Sequence, residues 1–141
     1  MNTKRLIAAV VGAIASFLGG WLVWGILLKD YYDANTIQYE GLMQNPPQLG
    51  ALFIGNLAWA WLIAFIFDRW ANIRTFSGGF TAGLIISFAL ALNMDMFMYS
   101  MMNLMTVSVI IVDILVSTIF GAVIAGIIAA MLGTGKRTVA A

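Results

Sequence analysis

The sequence contains no cysteine and no histidine. Without cysteine it has no disulfide, no thiolate metal ligand and no thiol nucleophile, and without histidine it lacks the commonest general base and metal ligand. Only 9% of its 141 residues are charged and the net charge is +1, which excludes the basic surface typical of nucleic-acid binding. Phosphate-loop, dinucleotide-binding and zinc-protease motifs are also missing. We therefore expect no enzyme activity, no cofactor and no nucleic-acid partner.

Long hydrophobic runs dominate what remains. Hydrophobic residues make up 62% of the chain, whereas an average soluble domain has about half. A membrane-spanning helix needs about 20 mostly apolar residues. Four segments meet this requirement, at about residues 6–28, 50–67, 78–99 and 104–132. The sequence therefore predicts one all-α integral membrane domain over 1–141, a bundle of four transmembrane helices in the lipid bilayer with an outer loop at about 29–49.

The basic residues are distributed unevenly between these segments. Lys29 alone lies in the outer loop, and no basic residue separates the third and fourth segments. The other six share one side if the helices cross alternately: Lys4, Arg5, Arg69, Arg74, Lys136 and Arg137. Because basic residues mark the cytoplasmic side, we expect both termini in the cytoplasm. The chain has a bacterial character, so we expect it in the bacterial cytoplasmic (inner) membrane.

Small residues recur at every fourth position of each predicted helix. Helices in lipid approach one another most closely at such positions. The packing positions predicted in this way are Gly12, Ser16, Gly20, Gly79, Gly83, Ser87, Ser117 and Gly121. These stripes either hold a compact bundle together, with the large apolar side chains turned to lipid, or mediate dimerisation.

Asp113 is the one charged residue of the fourth segment. It continues the small-residue stripe, so we expect it to face the bundle interior, ~13 Å along the helix. No basic residue inside a predicted helix can pair with it, so its carboxyl is expected to be protonated or to bind a cation or water. An acid in a membrane favours a functional role. The alternative is a protonated carboxyl that donates a hydrogen bond to a neighbouring helix, for example at Asn56.

Other polar residues lie towards the same side of the membrane as Asp113. Together they predict a pocket that opens to the outer face and responds to a cation or a proton. The pocket is expected to contain Asp113, Asn56 and Asp95, with Asn93 and Tyr99 beside them. Within it we expect Asp95 to lie nearer the surface than Asp113.

Six methionines cluster near the same outer end: Met94, Met96, Met98, Met101, Met102 and Met105. Thioethers are soft ligands that select Cu(I). Methionine is also the adaptable filler of apolar interfaces, and no histidine or cysteine supports a metal site. Copper binding is therefore a minor alternative.

The end of the first segment, Leu18 to Gly25 followed by Lys29 and Tyr31-Tyr32, resembles an uncharacterised bacterial family of small four-helix membrane proteins, a domain of unknown function. In that family the first helix ends in a Gly-x-x-Trp-Tyr-like run, followed by Gly-Lys and an aromatic residue. Here Val23-Trp24 stands where the family has Trp-Tyr, and no glycine precedes Lys29. The resemblance extends to length, helix count and spacing, and it implies a fold without an activity.

Two classes of function follow from these observations. The first is a cation- or proton-responsive transport or channel-like bundle centred on Asp113. It is expected to be a homo-oligomer, because four helices enclose little pathway. The second is a non-catalytic accessory or assembly subunit that packs its stripes against a larger membrane complex.

Overall fold

The computed structural model describes residues 2–134. Its elements are α1 (Thr3–Leu22) with a π-helical turn at Val23–Leu27, α2 (Lys29–Asn35), α3 (Leu49–Ile66) with a π-helical turn at Phe67–Ala71, α4 (Phe76–Met101) and α5 (Val107–Gly133). With these turns included, the four long helices are 23 to 27 residues long and apolar enough to cross a membrane. The prediction of an all-α chain with four such helices is confirmed. Lys136 and Arg137 lie outside the described residues.

Threonine side chains determine where α4 and α5 begin. Thr75 accepts a hydrogen bond from the backbone N–H of Gly78 at 3.2 Å, and Thr106 accepts one from Val109 at 3.4 Å. Each satisfies an N–H group that has no partner inside its helix. As a result α4 begins at Phe76, two residues before its predicted start at 78, and α5 begins at Val107, three residues after its predicted start at 104.

A short helix, α2, lies within the segment that was predicted as a loop. It has only 7 residues, which is too few to be stable alone. Contacts with the start of α5 hold it in place, because Tyr31 and Ser108 share a hydrogen bond of 2.7 Å. The chain after α2 is also held, since the backbone N–H of Ile37 donates to Leu104 at 2.8 Å.

The ends of the long helices fall into two groups. Lys4 donates to the backbone oxygen of Thr134 at 3.0 Å, and Arg74 donates to that of Leu132 at 3.2 Å. The start of α1, the end of α3, the start of α4 and the end of α5 therefore meet at one end of the bundle, called the basic end. The opposite end, which carries α2, is called the loop end. Between them α5 packs along α4 and α1, and α1 packs along α3.

The buried core lies in the half of the bundle nearer the basic end. It is built from α1, α3 and α5, and alanine is its commonest residue. Its members are Ala8, Ala9, Ala13, Ala60, Ile63, Ala64, Phe67, Ile124, Ala125, Ile128, Ala129 and Leu132. Small side chains let the helix backbones approach closely, which is the main source of packing energy in lipid.

Glycine is required at several of the closest helix contacts. A Cβ atom on Gly83 would lie 2.6 Å from the Cβ of Ala125 and 2.8 Å from the backbone of α5, and one on Gly12 would lie 2.5 Å from Cγ1 of Ile128. At Gly20, by contrast, a Cβ would have no described atom within 4 Å, so this predicted packing position does not lie at a helix contact. The remaining predicted packing positions are buried or partly buried: Ser16, Gly79, Ser87, Ser117 and Gly121.

Candidate functional site

Asp113 is surrounded by hydrogen-bond donors. Its Oδ1 atom accepts a hydrogen bond from Nε1 of Trp24 at 3.0 Å and another from the hydroxyl of Tyr32, and its Oδ2 accepts one from Ser117 at 3.2 Å. Donors on both oxygens favour the ionised carboxylate, which can only accept. Asn56, the partner suggested for Asp113 on a neighbouring helix, is not one of these three donors. The expected binding of a proton or a cation at Asp113 stays a prediction.

Trp24 reaches Asp113 from the π-helical turn at the end of α1. The turn is marked by a backbone hydrogen bond of 2.8 Å from the N–H of Leu28 to the oxygen of Val23. This bond spans five residues, where an α-helical bond spans four, and such π-helical turns are often found at functional sites. The Trp24 ring meets Phe120 edge to face with centroids 5.2 Å apart. This contact orients the indole N–H towards the carboxylate.

Tyr32 places α2 over the site. Its hydroxyl donates to Asp113, while the neighbouring Tyr31 is bonded to Ser108 at the start of α5. Burial raises the pKa of the Tyr32 hydroxyl above its ordinary value, and the hydrogen bond with Asp113 raises it further. Tyr32 therefore stays a neutral donor at physiological pH.

Asp95 and Ser87, both on α4, differ from Asp113 in having oxygens without partners. Each residue is only 6% exposed. Within the described residues, Oδ2 of Asp95 and Oγ of Ser87 make no hydrogen bond. Buried polar atoms are nearly always paired, so these two oxygens are candidates for binding something that the chain itself does not supply.

Asp95 and Asp113 line the same cavity of about 310 Å³ between α1, α4 and α5. The other lining residues are Trp24, Trp59, Ser87, Leu90, Ala91, Met94, Ser117, Phe120 and Gly121. This described lining contains no basic side chain, so nothing in it neutralises the two acids.

The two acids lie at the same depth. Asp95 precedes the end of α4 at Met101 by six residues, and Asp113 follows the start of α5 at Val107 by six, which is ~9 Å in each helix. The prediction that Asp95 lies nearer the surface was wrong. The reason is that α4 extends past Tyr99, which places Asp95 deeper, whereas the later start of α5 places Asp113 closer to the loop end.

Close contacts separate this cavity from the basic end. At the end of the cavity nearer the basic end, Ser87 fills the space in which a Cβ on Gly121 would lie. One helical turn closer to the basic end, Gly83 packs directly against α5. Its rim includes Leu90 and Met94, which are 43% and 61% exposed. The cavity therefore opens through the side of the bundle, in the half nearer the loop end.

The structure does not bring the other predicted polar residues to this cavity. Asn56 accepts a hydrogen bond of 2.5 Å from Ser16 and lines a different cavity between α1 and α3. Asn93 lines a groove on the outer surface of α4, and Tyr99 is 53% exposed. Of the five polar residues predicted to form one pocket, only Asp95 and Asp113 line the same cavity.

The methionines are not gathered around one point. Met94 lines the cavity of the two acids, Met96 lines the groove on the outer surface of α4, and Met105 forms a backbone bridge with Thr36. A Cu(I) site needs several soft ligands around one ion. This arrangement does not favour copper binding.

A second charged cluster, at the basic end, was not predicted. Asp68, whose side chain is 6% exposed, pairs with Arg5 at 2.7 Å and with Arg74 at 2.9 Å. The guanidinium of Arg5 also lies 5.1 Å from the ring centroid of Phe65, a favourable cation–π distance. The sequence contains the opposite charges, but only the packing of α1 against α3 brings them together.

Comparison with protein-family models, curated proteins and solved structures found no match for this chain. The resemblance of its Leu18–Gly25 segment to an uncharacterised bacterial family stays a prediction.

Proposed function

We propose that this chain is an integral protein of the bacterial cytoplasmic membrane, with its basic end in the cytoplasm and its loop end outside. Only 17–28% of the most apolar stretch of each long helix is buried within the bundle. Large side chains such as Leu18, Ile85 and Leu115 are 57%, 70% and 59% exposed. A continuous apolar surface of this kind is stable in lipid but not in water. Lys4, Arg5 and their neighbours supply the positive-inside signal.

Single cysteines test this topology directly, because the chain has none of its own. Four exposed positions are suitable: Thr3, Gln44, Ser77 and Ser100. On intact cells a membrane-impermeant maleimide is expected to label Gln44→Cys and Ser100→Cys, and to label Thr3→Cys and Ser77→Cys only after permeabilisation. The reverse pattern would invert the topology, and recovery of the protein in the soluble fraction without detergent would contradict insertion.

We further propose that Asp95 and Asp113 form a site that binds a proton or a small cation. The observation that carries this proposal is the unpartnered, buried Oδ2 of Asp95 in a cavity that also contains the charge of Asp113. Two like charges in an apolar environment are too costly to remain uncompensated. A proton or a cation held between them removes that cost.

The surroundings of the two acids support different roles for them. Asp113 accepts three hydrogen bonds and keeps its negative charge in place. Asp95 has an oxygen with no donor, so it is the group that takes up the proton or contacts the cation. Carboxylate oxygens are hard ligands, which suit a proton or a hard cation better than Cu(I).

One copy of the chain supplies a binding site rather than a complete pathway. The cavity is closed towards the basic end at Ser87 and Gly83 and opens through the side of the bundle. Transport would therefore require an assembly of several copies or a movement of α4 against α5. In either case occupancy of the acid pair is the step that makes the bundle responsive to the ion.

Thermal unfolding of the purified protein in detergent tests the site. The midpoint is measured with sodium, potassium or choline chloride at constant ionic strength, and separately across a pH series. A ligand at a hundred times its Kd stabilises the folded state by about 2.7 kcal/mol. We expect the wild-type midpoint to rise with one metal cation or with acidification, and Asp95→Asn and Asp113→Asn to abolish the rise.

Asp30→Asn is the matched control, because Asp30 is an exposed acid on α2 away from the cavity. It is expected to respond like the wild type. Dependence on the identity of the salt would identify a metal cation, and dependence on pH alone would identify a proton. A wild type that responds to neither, or an Asp95→Asn variant that responds fully, would contradict the proposal.

A second candidate role, in assembly, is supported by Asn93. This amide lies on the exposed surface of α4, ~12 Å from Met101 along the helix, in a groove lined by apolar residues such as Phe88 and Phe97. An amide in lipid gains from a hydrogen-bonding partner on another helix. Since an amide both donates and accepts, a second copy of the chain can supply that partner across a twofold axis.

Native mass spectrometry of the detergent-extracted protein tests the assembly role. We expect a homo-oligomer that Asn93→Leu weakens, and that Asn103→Leu, the same change at an exposed position outside the helices, leaves intact. Recovery with a different membrane protein in place of a second copy would favour an accessory subunit. A wild-type chain that remains a monomer under all conditions would exclude both assemblies.

A further inference from the structure

A polar cavity of about 540 Å³ lies at the basic end, far from the two acids. Its lining residues are Asn2, Lys4, Asn72, Arg74, Leu132 and Gly133. All four of the polar side chains carry N–H donors, and none of the described lining residues is a carboxylate. We infer that this cavity binds a phosphate group, and that the headgroup of an anionic lipid supplies it.

Donors remain available in this cavity after its internal hydrogen bonds are made. Lys4 uses one of its three N–H groups, on the backbone of Thr134. Arg74 uses three of its five, on Asn72, Asp68 and Leu132. The Asn72 side chain accepts from Arg74 through its oxygen. Its amide N–H groups have no partner among residues 2–134, so they can donate to a ligand. Phosphate has only acceptor oxygens, and it fits a site of this composition.

The charge around the cavity also favours an anion. Among the described residues of the basic end, Lys4, Arg5, Arg69 and Arg74 contribute four positive charges and Asp68 contributes one negative charge, so this part of the bundle carries a net charge of +3. Two helix starts, of α1 and α4, and two helix ends, of α3 and α5, meet here, so their dipoles largely cancel. The remaining positive charge attracts a phosphate monoester or diester.

The position of the cavity points to lipid as the source of the phosphate. This step rests on the proposed insertion and orientation, which place the basic end at the headgroups of the cytoplasmic leaflet. Anionic lipids are concentrated in that leaflet, and basic pockets between helix ends recognise their headgroups. Trp70, which is 72% exposed at the same end of the bundle, suits the interfacial layer in which tryptophan is enriched.

Lipid titration of the full chain in detergent tests this inference. The protein is titrated separately with short-chain phosphatidylglycerol, short-chain phosphatidylcholine and inorganic phosphate, and bound species are counted by native mass spectrometry. We expect phosphatidylglycerol to bind more tightly than phosphatidylcholine. Loss of one positive charge is expected to reduce that preference about fivefold in Lys4→Gln, because a basic residue near a charged membrane surface contributes about a factor of five.

Lys29→Gln is the matched control, because it makes the same change at the loop end. Asn72→Gly is a second test variant. Asn72 has a φ of 49°, which glycine adopts without strain, so the variant removes the amide donors while keeping the backbone. It is expected to weaken phosphatidylglycerol binding, as Lys4→Gln does.

The outcomes separate the two sources of phosphate. Binding of phosphatidylglycerol that inorganic phosphate does not displace supports a lipid site. Displacement by inorganic phosphate supports the phosphate chemistry but overturns the lipid as its source. Equal binding of the two lipids, or a preference that Lys4→Gln and Lys29→Gln change equally, overturns the site. None of these results depends on Asp95 or Asp113, so a failure here is distinct from a failure of the proposed ion site.

Discussion

The hydroxyl of Tyr32 donates a hydrogen bond to the carboxylate of Asp113, across 81 positions of sequence. One partner belongs to the short helix α2 at the loop end, and the other lies inside the bundle. The bond therefore couples the position of α2 to the electrostatics of the acid pair. A change in the charge of that pair therefore changes the strength of the hydrogen bond that holds α2. This helix lies at the loop end, which we expect to face the outside.

Replacing Tyr32 with phenylalanine removes this donor and keeps the ring. A hydrogen bond to a charged acceptor contributes about 2 kcal/mol, so Tyr32→Phe is expected to lower the free energy of unfolding in detergent by roughly that amount. Tyr31→Phe is the control: its hydroxyl meets the neutral Ser108 at an exposed position, and the expected loss is below about 1 kcal/mol. Equal losses of unfolding free energy in the two variants would contradict a stronger hydrogen bond at Tyr32.

The raised pKa of Tyr32 predicts how its contribution changes with pH. In the unfolded chain the hydroxyl titrates near its ordinary value of about 10, and in the folded protein it titrates higher. Above pH 10 the unfolded state loses a proton that the folded state keeps, so the contribution of Tyr32 is complete below pH 10 and declines as the pH rises beyond it. The stability difference between wild type and Tyr32→Phe is therefore expected to narrow in alkaline solution. A difference that stays constant would contradict the raised pKa.

Gly83→Ala tests the close packing of α4 against α5. The new methyl group would lie 2.8 Å from the α5 backbone, so the helices must separate, and overpacking of this kind costs about 1–3 kcal/mol. Gly55→Ala is the control, because a Cβ there has no described atom within 4 Å and alanine is the better helix former. We expect Gly83→Ala to lower the unfolding midpoint and Gly55→Ala to leave it unchanged or raise it. A tolerated Gly83→Ala would mean that the helices are less tightly packed.

Asp68→Asn tests the charged cluster at the basic end. It removes the negative charge that Arg5 and Arg74 share. The Asp68 side chain is buried but Arg74 is 40% exposed, so the expected cost is roughly 2 kcal/mol, between the values for exposed and fully buried ion pairs. Asp33→Asn breaks the exposed pair with Lys29 and is expected to have no measurable effect on the unfolding midpoint. Equal unfolding midpoints for the two variants would mean that the charged cluster contributes no more to stability than an exposed ion pair.

The long helices were predictable because hydropathy is a local property. Segments such as 50–67 and 104–132 are apolar whatever lies next to them, and lipid requires every such segment to satisfy its own backbone hydrogen bonds. Boundaries were less predictable, since Thr75 and Thr106 decide them through single hydrogen bonds. The short helix α2 could not be predicted from its own sequence, because docking against α5 stabilises it.

The candidate site was only partly predictable. Asp113 and Asp95 are recognisable as acids within apolar runs, and both lie in the observed cavity. The donors to Asp113 come from residues such as Trp24, 89 positions away, and no spacing rule connects residues on different helices. Asn56, suggested as one partner of Asp113, accepts from Ser16 instead, because the sequence does not show which helix faces meet.

The sequence by itself determined the number of long apolar helices and the uneven placement of the basic residues between them. These follow from composition and order along the chain, because the free energy of transfer into lipid is a sum over single residues. Only the tertiary structure decided that Asp113 has three donors while Asp95 keeps an unpartnered oxygen. That difference depends on contacts between separate helices, and it gives two chemically identical side chains different hydrogen-bonding environments.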